Sequence, residues 1–366
     1  MKKILVGYII NGTHSGIDKY LLNFLEQIYN ENIQVDFLTN KIVDTAQERV
    51  KKYNSKLIEI PRLIHPIKQY KEIKRICKEG NYDIGYFNIS EAYNCIATIA
   101  AKKSGVKKVV IHSHLAGTAK QNKVKIWISK VLNSIFKKIL YHYGDLFLAC
   151  SKKAGLWLYP KKIVESDQFH IMYNTVDTEK FKYDEEIRGK IRKENNLEDK
   201  VVVGHIGNFI YAKNHKFIIN MFSELSKEDN KYHLVLIGTG DLLQEIKDRV
   251  KEFKIEDRVT FTGVVNNVNE WMQAMDVFIL PSLVEGLPIV GIESQFSGLP
   301  AIFSDTISDE VIITEKSRML PITDIQVWKD KIKELSGNKR GKAELIDRAL
   351  NYNNEHMKKQ FEIIVK

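Results

Sequence analysis

No run of eighteen apolar residues occurs in this 366-residue chain, so no transmembrane helix is expected. Cysteine is scarce. Cys77, Cys95 and Cys150 are widely spaced, odd in number and form no Cys-x-x-Cys pair. This excludes a disulfide framework and a cysteine zinc site, and it fits buried thiols in a reducing, cytoplasmic compartment. No serine elbow, P-loop or zinc motif occurs, nor any low-complexity tract or short tandem repeat. The opening MKKILVGYII runs straight into the polar NGTHSGIDKY without a small-residue cleavage site, so it reads as a first β-strand and not as a signal peptide. Acid is missing from Ala92 to Gly144, an interval that holds ten lysines.

What is present is ordinary in bulk and uneven in placement. Hydrophobic residues make up 44% and charged residues 28%, as in globular proteins. The length suits two domains better than one core. The net charge of +10 divides unequally: residues 1–183 carry 30 basic and 16 acidic side chains, residues 184–366 carry 26 and 30. Such asymmetry points one half at an anionic surface or substrate.

Short β-branched runs alternate with amphipathic stretches. Strands are expected at 3–8, 33–38, 83–87, 107–111 and 145–149, with helical patterns at 17–29, 66–79, 91–103 and 120–142. The alternation restarts with strands at 201–206, 232–237, 258–261, 276–280 and 300–303, and helices at 214–226, 241–252, 266–273 and 288–297. Apolar strands separated by helices imply parallel βαβ units, here two doubly wound α/β domains joined by a linker near 180–190. The expected boundaries are 1–183, 184–345 and a C-terminal helix at 346–366 packing back on the first domain; the helical pattern itself spans 340–366. Ligands of such folds sit at the carboxyl ends of the strands, and two domains put the natural site in the cleft between them.

The stretch PSLVEGLPIVGIESQFSGLP, residues 281–300, carries the most chemistry. A strand ends at Pro281, a loop follows, and Pro288 suits the first turn of a helix because its missing N–H would be unpaired there. The N-terminus of that helix offers free N–H groups and the positive end of a dipole to an anion. Glu285 precedes the helix and Glu293 lies inside it, and a carboxylate can accept hydrogen bonds from vicinal hydroxyls. Either glutamate taken alone reads as a solvated acid.

The whole string resembles glycosyltransferase family 4, whose run P-S-x-x-E-G-x-P-x-x-x-x-E-x-x-x-x-G-x-P is matched by Pro281, Ser282, Glu285, Gly286, Pro288, Glu293, Gly298 and Pro300. YNTVDTEKF (173–181) and LIGTGDLLQEI (236–246) extend the likeness along the chain. The resemblance implies an α/β GT-B fold, two facing Rossmann-like doubly wound parallel-sheet domains with the nucleotide donor on the second. It implies retaining transfer from a nucleotide-diphosphate sugar, with UDP as the family-weighted nucleotide. Glu293 would hold the ribose hydroxyls, Glu285 would sit near the donor sugar and its glycosidic oxygen, and the backbone of Gly286 and Leu287 would approach the sugar and diphosphate. In GHIGNFIYAKNH (204–215) the family's Gly-Arg is Gly207-Asn208, whereas its phosphate-binding lysine is present as Lys213. Asparagine offers hydrogen bonds without charge, so part of the diphosphate clamp is missing.

The first loop, NGTHSGIDKY, has Gly12, and Ser15-Gly16 where the family has paired glycines; Gly16 would let the backbone approach a ligand and His14 would face the cleft. In VVIHSHLAG (109–117), His112 and His114 point the same way along an extended chain. No neighbouring acid or cysteine completes a metal site. By the resemblance His114 contacts the donor sugar's hydroxyls, with His112 a second candidate. No Asp-x-Asp occurs, so the usual metal handle of the other major glycosyltransferase fold is absent; a metal-independent reaction without cofactor is expected, with Lys213 and helix N-termini neutralising the leaving diphosphate. The resemblance offers no firm covalent nucleophile and implies retention through same-face displacement, the leaving phosphate oxygen taking the acceptor's proton.

Residues 119–143 read as a basic amphipathic helix. Ile126, Trp127, Ile128, Val131, Leu132, Ile135, Phe136, Ile139 and Leu140 form an apolar side, and Lys120, Lys123, Lys125, Lys130, Lys137 and Lys138 a polar one. Packing on the sheet accounts for part of the apolar stripe; the lack of acid favours peripheral contact with an anionic membrane at its inner face. No nucleic-acid motif accompanies the charge. A membrane-facing domain suggests a lipid-linked or oligosaccharide acceptor, as in family members that build capsule or exopolysaccharide. The alternatives are a non-catalytic sugar-nucleotide-binding or scaffold subunit, motivated by Asn208, and a related GT-B activity such as sugar-nucleotide epimerisation.

Overall fold

The computed structural model describes residues 1–8, 16–118 and 120–366, which form two compact units. The first comprises residues 1–118, 122–174 and 354–366. Its strands are β1 (Lys2–Gly7), β2 (Ile33–Thr39), β3 (Lys56–Glu59), β4 (Ile84–Ile89), β5 (Lys108–Ser113), β6 (Leu146–Ala149) and β7 (Phe169–Ile171). They form one parallel sheet in the order β3-β2-β1-β4-β5-β6-β7. The central strand β4 is buried along its whole length, which is why its sequence, IGYFNI, is nearly continuous in apolar residues.

Helices α1 (Gly16–Ile28) and α2 (Asp44–Lys51) cover one face of this sheet. Helices α3 (Pro66–Gly80), α4 (Ile96–Lys103), α6 (Lys152–Leu158) and α7 (Lys161–Val164) cover the other. Between α4 and α6 in the chain runs α5 (Lys123–Leu140), started by Asn122, whose side chain accepts from the N–H groups of Val124 and Lys125.

The second unit comprises residues 119–121 and 175–353. Helix α8 (Glu185–Glu194), capped by Asp184, occupies the stretch expected to be a linker. The sheet holds β8 (Val201–Ile206), β9 (Tyr232–Ile237), β10 (Val259–Gly263), β11 (Val277–Leu280), β12 (Ala301–Ser304) and β13 (Arg318–Leu320), ordered β10-β9-β8-β11-β12-β13 and parallel throughout. Helices α9 (His215–Glu228), α10 (Leu243–Glu252), α11 (Val268–Ala274), α12 (Ile289–Phe296) and α13 (Ile325–Ser336) complete it. Arg188 and Arg192 of α8 meet Asp276 at 2.5 and 3.2 Å, and Arg192 also bonds the Ala274 carbonyl, which fastens α8 to the end of α11.

The chain then returns to the first unit. The helical pattern of 340–366 is broken into a 3-10 segment, Asp347–Tyr352, and α14 (Asn354–Val365). Phe361 of α14 packs edge-on against Tyr20 and Phe24 of α1. No helix among the described residues is long and apolar enough to cross a membrane.

Helix α5 packs on the sheet only in part: Leu140 belongs to the core and Phe136 packs against it, while the other buried residues are the polar Ser129 and Asn133. Trp127 is 66% exposed and Ile135 51%, and Val124, Ile128, Val131, Leu132 and Ile139 are exposed as well. Polar contacts hold the helix in place. Asn133 accepts from the Ala92 N–H at 2.6 Å and donates to the Trp157 carbonyl at 2.7 Å, while Ser129 donates to Glu91 at 2.6 Å.

Candidate active site

In the second unit the carboxyl ends of β8, β9 and β11 converge through their following loops. Phe209 N–H donates to the Thr239 carbonyl and Leu242 N–H to the Phe209 carbonyl, both at 2.9 Å. The approach needs glycine: a Cβ on Gly238 would stand 2.2 Å from the Gly207 oxygen, and one on Gly240 2.7 Å from that of Phe209. Leu283 N–H donates to the Ala212 carbonyl at 2.7 Å, and the Asn214 side chain to the Pro281 carbonyl at 3.1 Å. Thr306 ties down the same loop through the Ser282 carbonyl.

These ties bring Lys213 and Glu285 together, the ammonium 2.6 Å from Oε1, each side chain 15% exposed. The contact is one of charge: Oε1 is buried and receives no well-directed hydrogen bond. Gly286, Leu287 and Pro288 are buried beside it. Pro288 is the cap of α12 and not its first helical residue; its φ of −76° and ψ of 105° are extended. Glu293 lies within α12 and is partly buried. Asn208, the departure from the family pattern, is exposed.

Two histidines not singled out from the sequence lie under Lys213. His205 Nδ1 is 2.9 Å from the Ile279 carbonyl, which can only accept, so this nitrogen carries the proton and Nε2 keeps its lone pair. A Cβ on Gly207 would meet both His205 Nε2 and the Lys213 stem at 3.2 Å, so the three converge. His215 stacks on Phe209 with centroids 4.0 Å apart and meets His205 edge-on at 4.7 Å. Burial, opposed by the Ile279 hydrogen bond and assisted by the charge of Lys213, lowers His205 to about 3. Burial, then His205 and Lys213, lowers His215 to about 2. Both are neutral. The sequence signal was available: a histidine inside the apolar strand VVVGHI has to be satisfied or functional.

In the first unit, His112 and His114 meet at the end of β5 with centroids 3.9 Å apart and ring planes tilted by 38°. Asn88 donates its amide to the Gly7 carbonyl at 2.9 Å, so its Oδ1 accepts from His114 Nε2 at 2.6 Å. His114 Nδ1 then holds a lone pair suited to a hydroxyl donor. His112 Nδ1 is 2.6 Å from the Tyr86 hydroxyl, which reaches Tyr20 at 3.2 Å. Burial lowers His114 to about 3, and burial with His114 lowers His112 well below the ordinary histidine value. Gly16 opens α1, where a Cβ would meet nothing within 4 Å. His14 and Gly12 lie outside the described residues. Among those residues no group of three or more histidines, cysteines or acids gathers to hold a metal ion. All three cysteines are buried.

Residues 14–180 match the family described as Glycosyltransferase Family 4, and residues 187–355 that described as Glycosyl transferases group 1. The chain is 27% identical over 363 residues to EpsF of Bacillus subtilis (strain 168), covering 95% of this chain and 91% of that protein. It is 24% identical over 324 residues to the UDP-Gal:alpha-D-GlcNAc-diphosphoundecaprenol alpha-1,3-galactosyltransferase of Escherichia coli, covering 80% and 76%. Anabaena HepE, solved in complex with UDP, superposes with a TM-score of 0.78 over 100% of this chain and 99% of that one at 14% identity, a likeness of fold. Two parallel sheets of one winding, with family matches over residues 14–180 and 187–355, make this a GT-B fold, and the chain belongs to glycosyltransferase family 4.

Proposed function

We propose that the protein is a retaining glycosyltransferase that moves a hexose or N-acetylhexosamine from a UDP-sugar to a lipid-linked glycan acceptor in bacterial surface polysaccharide synthesis, without a divalent metal. The observation that carries this reading is the Lys213–Glu285 pair at the carboxyl edge of the second sheet. It supplies a cation for a departing diphosphate and a carboxylate for sugar hydroxyls in one place. Glu293 holds the ribose hydroxyls, and the N–H groups of Gly286 and Leu287 meet the sugar and diphosphate. Neutral His114 accepts from a sugar hydroxyl through Nδ1. As the bond from the anomeric carbon to the β-phosphate oxygen breaks, the acceptor oxygen bonds that carbon on the same face and its proton passes to the leaving phosphate. UDP departs, and stabilisation of its charge supplies most of the rate.

The lipid-linked acceptor draws support from two features. The E. coli relative acts, by its name, on a diphosphoundecaprenol acceptor. The outward apolar face of α5, with lysines beside it, suits the surface of an anionic bilayer.

The test is to incubate the protein with UDP-glucose, UDP-galactose, UDP-N-acetylglucosamine, UDP-N-acetylgalactosamine and GDP-mannose in EDTA and follow nucleotide release, with Glu293→Ala beside it. Release from one UDP-sugar that persists in EDTA and falls in the variant is the expected result. Release that requires a divalent metal overturns the metal-independent step. Binding of no nucleotide overturns the whole reading. Exposed Asn208, where the family has arginine, favours a second reading, a sugar-nucleotide-binding subunit without catalysis; donor binding with no turnover, even with lipid-linked acceptors, would establish it.

A further inference from the structure

We propose that the Lys213–Glu285 pair is the resting form of the donor site and acts as an exchange gate that distinguishes an intact nucleotide sugar from the nucleotide product. The inference rests on the reading of the second unit as the donor site and deepens it. Lys213 cannot serve a diphosphate fully while its charge is matched by Glu285 at 2.6 Å. An entering nucleoside diphosphate therefore replaces the carboxylate on Lys213. The pair is built to be exchanged: both side chains are mostly buried, so the charges interact strongly, yet no well-directed hydrogen bond locks Oε1.

The exchange leaves Glu285 as a carboxylate with no cation in a largely buried place, which is costly. Hydroxyls of a sugar on the diphosphate can donate to it and relieve that cost. A nucleoside diphosphate without a sugar cannot. Glu285 then competes for Lys213 throughout the residence of the product, and re-formation of the pair helps to expel it. The histidines below cannot stand in for Lys213, because His205 and His215 are held neutral by burial. His205 Nε2, with its lone pair facing the same point as the lysine stem, adds no charge that would trap the product.

The test measures the dissociation constants of UDP and of the bound UDP-sugar by calorimetry, and the UDP off-rate by competition, for the natural protein, Glu285→Gln and Glu285→Asp. Glutamine keeps the shape and removes the charge. Glu285→Gln is expected to bind UDP about fivefold or more tighter, to release it more slowly, and to lose most of the preference for UDP-sugar over UDP. Glu285→Asp keeps the charge at a shorter reach and is expected to fall between the two, which decides the matter should the glutamine variant fold poorly. UDP affinity unchanged or weakened in both variants overturns the gate while the donor-site reading stands. No binding of UDP or any UDP-sugar by the natural protein overturns both.

Discussion

The step from β5 to β6 and the step from β12 to β13 occupy the same place in two sheets wound in the same order. The first is made through α5, 18 residues long; the second contains a single 3-10 turn, Asp309–Val311. Strands at this position do not need such a helix to be covered, since α6 packs on β5 and β6, and α13 on β11 and β12. Helix α5 is therefore an addition to the common plan. Its exposed apolar residues, Trp127, Ile128, Val131, Leu132, Ile135 and Ile139, lie along one helix at the three- and four-residue spacing of a single face. The polar content of the two units differs in the same sense. The first holds a neutral network at its carboxyl edge, Tyr20, Tyr86, His112, His114 and Asn88, whereas the second adds a charge pair.

The largest effect concerns what the units share, buried neutral histidines, and sharpens how they differ. His112 and His114 lie in the first; His205, His215 and His233, the last lowered to about 4 by burial and by Lys200, lie in the second. In the unfolded chain each takes a proton near pH 6.5; in the folded chain His114, His205, His215 and His233 do so only near pH 2–4, and His112 only well below its ordinary value. The unfolded state thus binds more protons below pH 6.5. Stability is full above that value and falls as the pH drops, by about 1.4 kcal/mol per pH unit for each histidine, until the folded values are reached. Thermal melts from pH 7.5 to 4.5 should show a steep loss below 6.5. A melting temperature that holds steady to pH 4.5 would mean that these rings are solvated.

Next in size is the surface of α5. Trp127→Ser with Ile135→Ser should reduce binding to anionic vesicles by about a hundredfold or more, because each large side chain withdrawn from an apolar phase is worth about 1.5–3 kcal/mol. Salt should weaken the remainder through Lys125, Lys130, Lys137 and Lys138. The melting temperature should not fall, since both residues are exposed. Co-sedimentation unchanged by the substitutions would end the membrane reading. A concentration-dependent mass that the substitutions abolish would identify a second copy as the occupant.

The contrast between α5 and the rest also explains what was legible in the sequence. Interior strands such as β1, β4 and β8 announce themselves as apolar runs because both faces are buried. The strands not foreseen are β3, β7 and β13, KLIE, FHI and RML, all at sheet edges and three or four residues long. An edge strand needs fewer apolar residues and leaves little periodicity to read. Within the site, the motif 281–300 and Lys213 were legible because they follow one another along the chain. Their ion pair was not, nor was His205 beneath it, because those contacts depend on loops from three strands meeting. The apolar stripe of α5 was legible, but not the side it faces. Periodicity defines a stripe, and Ser129 and Asn133, which decide its direction, look like ordinary polar residues until their partners on 91–92 and 157 are known.

That last point yields the smallest effect and a direct way to break the comparison. By pattern alone Asn133→Leu should improve α5, extending an apolar helix and raising its helix propensity. In the fold Asn133 is 2% exposed and holds the Ala92 N–H and the Trp157 carbonyl. Leucine would strand both backbone groups, so a loss of about 1–3 kcal/mol is expected, read as a lower melting temperature with vesicle binding retained. Ser129→Ala, which removes one bond to Glu91, should cost about 1 kcal/mol. If Asn133→Leu raised the melting temperature, α5 could turn its apolar side inward to pack like α6 and α13. Its outward face would then be an accident of two polar side chains, and the step from β5 to β6 would differ from the step from β12 to β13 in length alone.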